Sequence, residues 1–145
     1  MGIITKQFHK HKTNRLAAPS RSVTGLDVAQ VLAILRQVVD QTPAKTGLLD
    51  SGQKLWLIGQ APGPWKVCFG PPKRNTPNVV VPVWTIEVSF QAASTGKETM
   101  VTTKLAQWKT RDGKLVRSRE FQDFIADFAR AIAASDPTYH SLETP

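Results

Sequence analysis

The chain has 145 residues, of which 41% are hydrophobic, and it carries a formal net charge of +8 at pH 7. This length fits one domain, and the apolar content excludes a fully disordered chain because a core can form. The single cysteine, Cys68, excludes an intramolecular disulfide, and no apolar run approaches the roughly 20 residues that span a bilayer. We therefore expect an intracellular or virion protein rather than a secreted one, with no membrane partner.

The first part of the chain predicts a basic arm followed by a helix. Residues 1–22 lack apolar periodicity and contain Pro19, which favours an extended or disordered segment. Thr24 and Asp27 have the spacing of a capping box, so Thr24 is expected to cap a helix that ends near Pro43. The apolar residues of this helix recur at helical spacing: Val28, Val31, Leu32, Leu35, Val38 and Val39.

The middle of the chain predicts antiparallel strands. Segments with apolar alternation, or with a short apolar core, are 54–59, 65–69, 79–90 and 98–110, and a short return strand begins at Leu115. Ala61-Pro62-Gly63-Pro64 predicts a turn between the first two strands. Asp112-Gly113 predicts a tight hairpin, because this pair suits a turn with positive φ.

A second helix follows the strands. Ser118 is expected to cap it, Glu120 lies in its first turn, and Asp136-Pro137 ends it. Its apolar face consists of Phe121, Phe124, Ile125, Phe128, Ile132 and Ala133.

These elements predict an α+β fold: an N-terminal helix, an antiparallel sheet of four to five strands, and a C-terminal helix packed on one face of the sheet. The predicted organisation is a basic arm over 1–22, a single domain over 23–136 and a short tail over 137–145. No family is assigned from these features.

The sequence contains no recognisable catalytic motif, so we expect no enzyme and no cofactor. Cys68 lies between Val67 and Phe69 and is interpreted as a small buried hydrophobe. His9 and His11 form a close pair, but they lie in a lysine-rich segment that repels cations, so no metal site is predicted.

The four tryptophans all fall in predicted strands. Trp84 shares an apolar face with Ile86 and is interpreted as a core residue. Trp108 has two interpretations. It is a packing residue, because Ala106 shares its parity, or it is a platform on which a base stacks while neighbouring cations meet phosphates.

Positive charge is concentrated in two segments. Residues 1–26 hold five Lys and Arg residues with no acid, and residues 97–119 have an excess of five cations. Such clusters favour a polyanionic partner. The predicted nucleic-acid-binding residues are Lys6, Lys10, Lys12, Arg15, Arg21, Lys104, Trp108, Lys109, Arg111, Lys114, Arg117 and Arg119.

The first hypothesis is a non-enzymatic structural subunit that contacts nucleic acid, with RNA favoured over DNA, in a larger assembly such as a capsid or ribonucleoprotein. The second is a homo-oligomeric scaffold, secretion or conjugation component that binds no nucleic acid, because open sheets pair at their edges. The third is a small-ligand-binding or enzymatic α+β domain with a pocket between sheet and helices.

Overall fold

The computed structural model describes residues 19–46, 54–70, 83–92, 97–116 and 118–142. Within these ranges the protein is α+β, with two helices and a six-stranded antiparallel sheet. The elements are β1 (Ser20–Thr24), α1 (Val28–Thr46), β2 (Lys54–Ile58), β3 (Trp65–Gly70), β4 (Trp84–Ala92), β5 (Thr99–Trp108), β6 (Thr110–Arg111), β7 (Lys114–Leu115), α2 (Ser118–Ser135) and β8 (His140–Ser141). The strand order is β2-β3-β4-β5-β1-β8, and β6 and β7 form a separate ribbon.

The first described element is a strand and not a helix, which corrects the predicted order. β1 lies inside the sheet and pairs antiparallel with β5 and β8. It carries no apolar alternation, because the two side chains that it buries, Ser22 and Thr24, are polar. Residues 20–22, which were assigned to the arm, therefore belong to the sheet.

The sheet also extends into the predicted C-terminal tail. In β8, His140 lies opposite Val23 and Ser141 lies opposite Ser22. The Leu142 amide donates a hydrogen bond of 2.9 Å to the Arg21 carbonyl. With β1 and β8 included, the sheet has six strands instead of the predicted four to five.

Helix α1 begins one turn later than the predicted capping residue. Asp27 caps it, because the Gln30 amide donates to the Asp27 carboxylate at 2.8 Å, and the Asp27 amide donates to Gln30 Oε1 at 2.9 Å. These reciprocal bonds form a capping box with Gln in the third position. Thr24 is engaged elsewhere: its Oγ1 donates to the Asp136 carboxylate at 2.6 Å. The helix also continues past Pro43 to Thr46.

One apolar core joins the two helices to one face of the sheet. On α2 the buried residues are the predicted Phe121, Phe124, Phe128 and Ile132, and on α1 they are Val31, Leu35, Val38 and Val39. The sheet contributes the residue pairs Phe69–Trp84, Val67–Ile86 and Trp65–Val88, each directly opposite across β3 and β4. Trp84 is fully buried, which confirms its interpretation as a core residue.

The other face of the sheet is called the second face here. It carries the alternate residues of the strands, including Arg21, Lys66, Glu87, Thr102 and Lys104. Lys66, Glu87 and Lys104 form one cross-strand row, because Glu87 lies opposite Lys66 on β3 and opposite Lys104 on β5. The second face is therefore charged along this row, whereas the first packs against the helices. The second face also carries apolar residues, including Trp56 and Ile58 on β2, and its residues Cys68 and Thr85 are buried.

Candidate nucleic-acid interface

The predicted Asp-Gly hairpin is present as the β6–β7 ribbon. Arg111 lies opposite Lys114, and Asp112 and Gly113 between them have φ values of 54° and 79°. Positive φ at both central positions is the geometry that Asp-Gly adopts in a tight hairpin. The Val116 amide donates to the Lys109 carbonyl at 2.9 Å, so the ribbon is closed at its base.

The ribbon presents its cations to solvent. Leu115 is buried in the core, and the alternation of the strand turns Lys114 and its partner Arg111 outwards, where both are exposed. Like charges directly opposite each other in a ladder are destabilising. This pair therefore concentrates positive charge at a cost to local stability.

Two further predicted cations flank the ribbon. Lys109, between β5 and β6, and Arg119, in the first turn of α2, are both exposed. From Lys109 to Val116 the only acidic residue is Asp112, at the tip of the turn. The described residues of this region, Trp108, Lys109, Arg111, Lys114 and Arg119, are called the hairpin surface.

Trp108 lies on the helix-packed face and not on the face of Lys104. A β-bulge separates the two residues: Thr85 lies opposite Gln107, and Ile86 lies opposite Leu105, which leaves Ala106 without a partner. This extra residue reverses the alternation, so Trp108 lies directly opposite Trp84. Sequence analysis treated the alternation along this segment as unbroken and therefore did not predict this change of face.

The indole of Trp108 remains 37% exposed, although its cross-strand neighbour is buried. Trp84 is held by a stacked contact with Phe69, at 5.0 Å between ring centroids, and by an edge contact with Phe121 at 5.8 Å. Trp108 therefore lies at the edge of this aromatic group, next to solvent, and Lys109 follows it in the chain. An aromatic ring that is partly exposed next to cations can stack a nucleic-acid base.

The other two predicted cations that the structure describes, Arg21 and Lys104, lie on the second face. Arg21 lies opposite Thr102, and Lys104 lies opposite Glu87. Both Arg21 and Lys104 are exposed. The predicted residues therefore divide between two surfaces, because the bulge separates Lys104 from Trp108.

Sequence analysis missed Lys66, which is exposed on the second face between Ile58 and Glu87. The alternation of Trp65, Val67 and Phe69 already places Lys66 opposite to the core. Lys66 lies outside the two basic segments, and charge counting along the chain therefore overlooked it. Five predicted cations lie outside the described residues: Lys6, Lys10, Lys12, Arg15 and Arg117.

Cys68 is buried, as predicted, and burial raises the pKa of its thiol. The Thr85 hydroxyl donates to Cys68 Sγ at 3.8 Å. A thiol that stays protonated is a poor nucleophile. Among the described residues, no group of three His, Cys, Asp or Glu side chains is placed to hold a metal ion, and no helix is long and apolar enough to cross a membrane.

Asp136 is a buried carboxylate with a complete set of donors. One oxygen accepts from the amide and hydroxyl of Thr138, at 2.9 and 2.6 Å. The other accepts from Thr24 Oγ1 at 2.6 Å and from the Gly25 amide at 2.7 Å. These hydrogen bonds, from Thr138 first and then from Thr24 and Gly25, hold the pKa of Asp136 well below its usual range. These hydrogen bonds connect the C-terminal end of α2 to β1.

In comparisons with known proteins, no family model, curated protein or solved structure matches this chain significantly.

Proposed function

We propose that this protein is a non-enzymatic structural subunit that contacts nucleic acid, with RNA favoured over DNA, in a larger assembly such as a capsid or ribonucleoprotein. The observation that carries the proposal is the hairpin surface. An indole that is 37% exposed lies at the base of a ribbon whose exposed residues, Arg111 and Lys114, lie directly opposite each other.

The chemistry of the hairpin surface fits a nucleic-acid strand. Lys and Arg neutralise phosphates and release counterions, while an exposed indole stacks on an unpaired base. Unpaired bases are the usual target of RNA-binding proteins, which is the reason for favouring RNA.

The test is binding of a fluorescent single-stranded uridine oligonucleotide by the full chain between about 50 and 200 mM salt, where affinity that depends on phosphate contacts falls steeply. R111Q/K114Q should weaken binding and reduce the salt slope by roughly 1.4, or about 0.7 for each lost phosphate contact. Lys97→Gln is the matched control, because Lys97 is exposed in the β4–β5 connection, outside the hairpin surface. Binding that does not change with salt would reject the proposal.

The contribution of the predicted arm is tested separately by truncation. A chain that starts at Pro19 removes Lys6, Lys10, Lys12 and Arg15 and leaves β1 intact. A later start, at Val23, would delete part of a strand that lies inside the sheet. Loss of affinity in the Pro19 chain, with an unchanged thermal unfolding midpoint, assigns phosphate contacts to the arm.

The edge of the sheet favours a second candidate function, an assembly subunit that binds no nucleic acid. β2 is the last strand in the described sheet, its residues Leu55 to Ile58 are all apolar, and Ile58 is 49% exposed. Apolar edge strands pair with other chains. A defined oligomer in light scattering without nucleic acid, converted to a monomer by Ile58→Lys, would support this candidate, and a wild-type monomer would reject it.

A further inference from the structure

We infer that the second face carries a separate phosphate-binding track, made by Lys66, Lys104 and Arg21, along which a nucleic-acid strand crosses the sheet. The inference rests on the proposed function and extends it from one contact surface to two. Its geometry comes from the register of four adjacent strands, β3, β4, β5 and β1.

The three cations follow one line across these strands. Lys66 and Lys104 flank β4 in the same cross-strand row, which places them roughly 10 Å apart, or two strand spacings. Arg21 lies opposite Thr102, so it is a diagonal neighbour of Lys104, at about 7–8 Å. All three side chains are exposed.

Polar groups beside the track suit a phosphate backbone. Ser89 lies opposite Thr102, which in turn lies opposite Arg21, so two hydroxyls border the line of cations. Hydroxyl, Lys and Arg side chains are among the groups that contact phosphate oxygens in protein–nucleic acid complexes. A line of cations favours a partner with a line of negative charges, and a nucleic-acid strand has this property.

Glu87 lies between the two lysines, and its negative charge weakens the attraction of the track for phosphate. It is half-buried and directly opposite both Lys66 and Lys104. Lys66, Lys104, Arg21 and Glu87 together carry a net charge of +2. Removing the Glu87 charge should therefore strengthen phosphate binding, and the gain should require the two lysines.

The track and the hairpin surface are separable by mutation. The bulge at Ala106 places Lys104 and Trp108 on opposite faces, so one short strand cannot lie flat against both. K66Q/K104Q removes the track and keeps the hairpin surface, and R111Q/K114Q does the reverse. Lys97→Gln is again the matched control.

The experiment measures the salt slope of binding of a long single-stranded uridine oligonucleotide to these variants. K66Q/K104Q should reduce the slope by roughly 1.4, and combination with R111Q/K114Q should double the reduction. Glu87→Gln should raise affinity about twofold to fivefold, the size expected for one charge near the protein surface, and should have no effect in the K66Q/K104Q chain. Thermal unfolding verifies that each variant is folded.

The following results would overturn the inference. A slope in K66Q/K104Q equal to that of Lys97→Gln overturns the track, even if R111Q/K114Q weakens binding and the proposed function stands. A wild-type chain that does not bind the oligonucleotide overturns both. A K66Q/K104Q chain that loses binding to a polyglutamate peptide but not to the oligonucleotide also overturns the track, because the partner is then an acidic protein.

Discussion

Trp84 and Trp108 lie directly opposite each other across β4 and β5, yet Trp84 is fully buried and Trp108 is 37% exposed. The pair shares one face of the sheet because of the bulge at Ala106. Phe69 and Phe121 enclose Trp84, whereas Trp108 lies where the aromatic group ends. One tryptophan therefore stabilises the core, and its neighbour is available to a ligand.

This difference predicts unequal costs of truncation. Trp84→Ala should destabilise the protein by about 3–5 kcal/mol, because it leaves a large cavity beside Phe69 and Phe121. Trp108→Ala should cost only about 1 kcal/mol, near the centre of the distribution for point mutations, because the indole is partly exposed and leaves no closed cavity. Urea unfolding of the two variants measures both values, and equal costs would contradict the assignment of Trp108 to the solvent boundary.

The same residue gives a prediction for binding. If a base stacks on Trp108, Trp108→Ala should weaken binding of a uridine oligonucleotide by about 1–3 kcal/mol. Trp108→Phe keeps an aromatic face and should retain part of the affinity. Fluorescence anisotropy at fixed salt measures the loss, and equal affinities of the Ala and Phe variants would exclude stacking.

Periodicity in the sequence predicted the buried residues of both helices and most of the strands, because these elements bury apolar side chains at regular spacing. It also assigned Val28 and Ala133 to the buried faces, and both are exposed. It failed for β1, whose buried Ser22 and Thr24 have no hydrophobic signal. Thr24 is stabilised inside the fold by Asp136, which is 112 residues away in the chain. No local pattern reports such a partner.

Only the part of the candidate site that depends on residues adjacent in the chain could be predicted from the sequence. Asp112-Gly113 specified the hairpin, because its turn geometry depends on adjacent residues alone. Whether Lys104 and Trp108 share a face depends on a bulge set by the pairing of β4 with β5. Likewise, Lys66 joins Lys104 only through the register of three strands.

The start of α1 provides a third prediction. Asp27→Ala should reduce stability by about 1 kcal/mol, because it removes the carboxylate that accepts from the Gln30 amide. Asp27→Ser keeps a capping oxygen and should restore most of the loss. A double-mutant cycle should show coupling between Asp27 and Gln30, which bond reciprocally, and little coupling between Asp27 and Asp136. Absence of coupling between Asp27 and Gln30 would contradict the assignment of the cap to Asp27.

The hydrogen bonds of the Asp136 carboxylate predict how the stability of the protein depends on pH. Its pKa is lower in the folded protein than in the unfolded chain, where the pKa of an Asp is about 3.9. The folded state therefore gains stability from this carboxylate above that pH and loses it progressively as the pH falls further, since the unfolded chain binds the proton first. Asp136→Asn also turns an amide N–H towards groups that are themselves donors, so it should unfold at a lower temperature than the wild type at neutral pH.

The difference in unfolding temperature between the Asp136→Asn protein and the wild type should become smaller below about pH 4. Acid weakens the hydrogen bonds of the wild-type carboxylate and leaves the amide of the variant unchanged. Thermal unfolding from neutral to acidic pH measures both curves. Asp40→Asn is the control, because it removes an exposed carboxylate from α1 and keeps the bonds to Thr24, Gly25 and Thr138. Two parallel curves for the wild type and Asp136→Asn would show that the charge of Asp136 does not carry the link between α2 and β1.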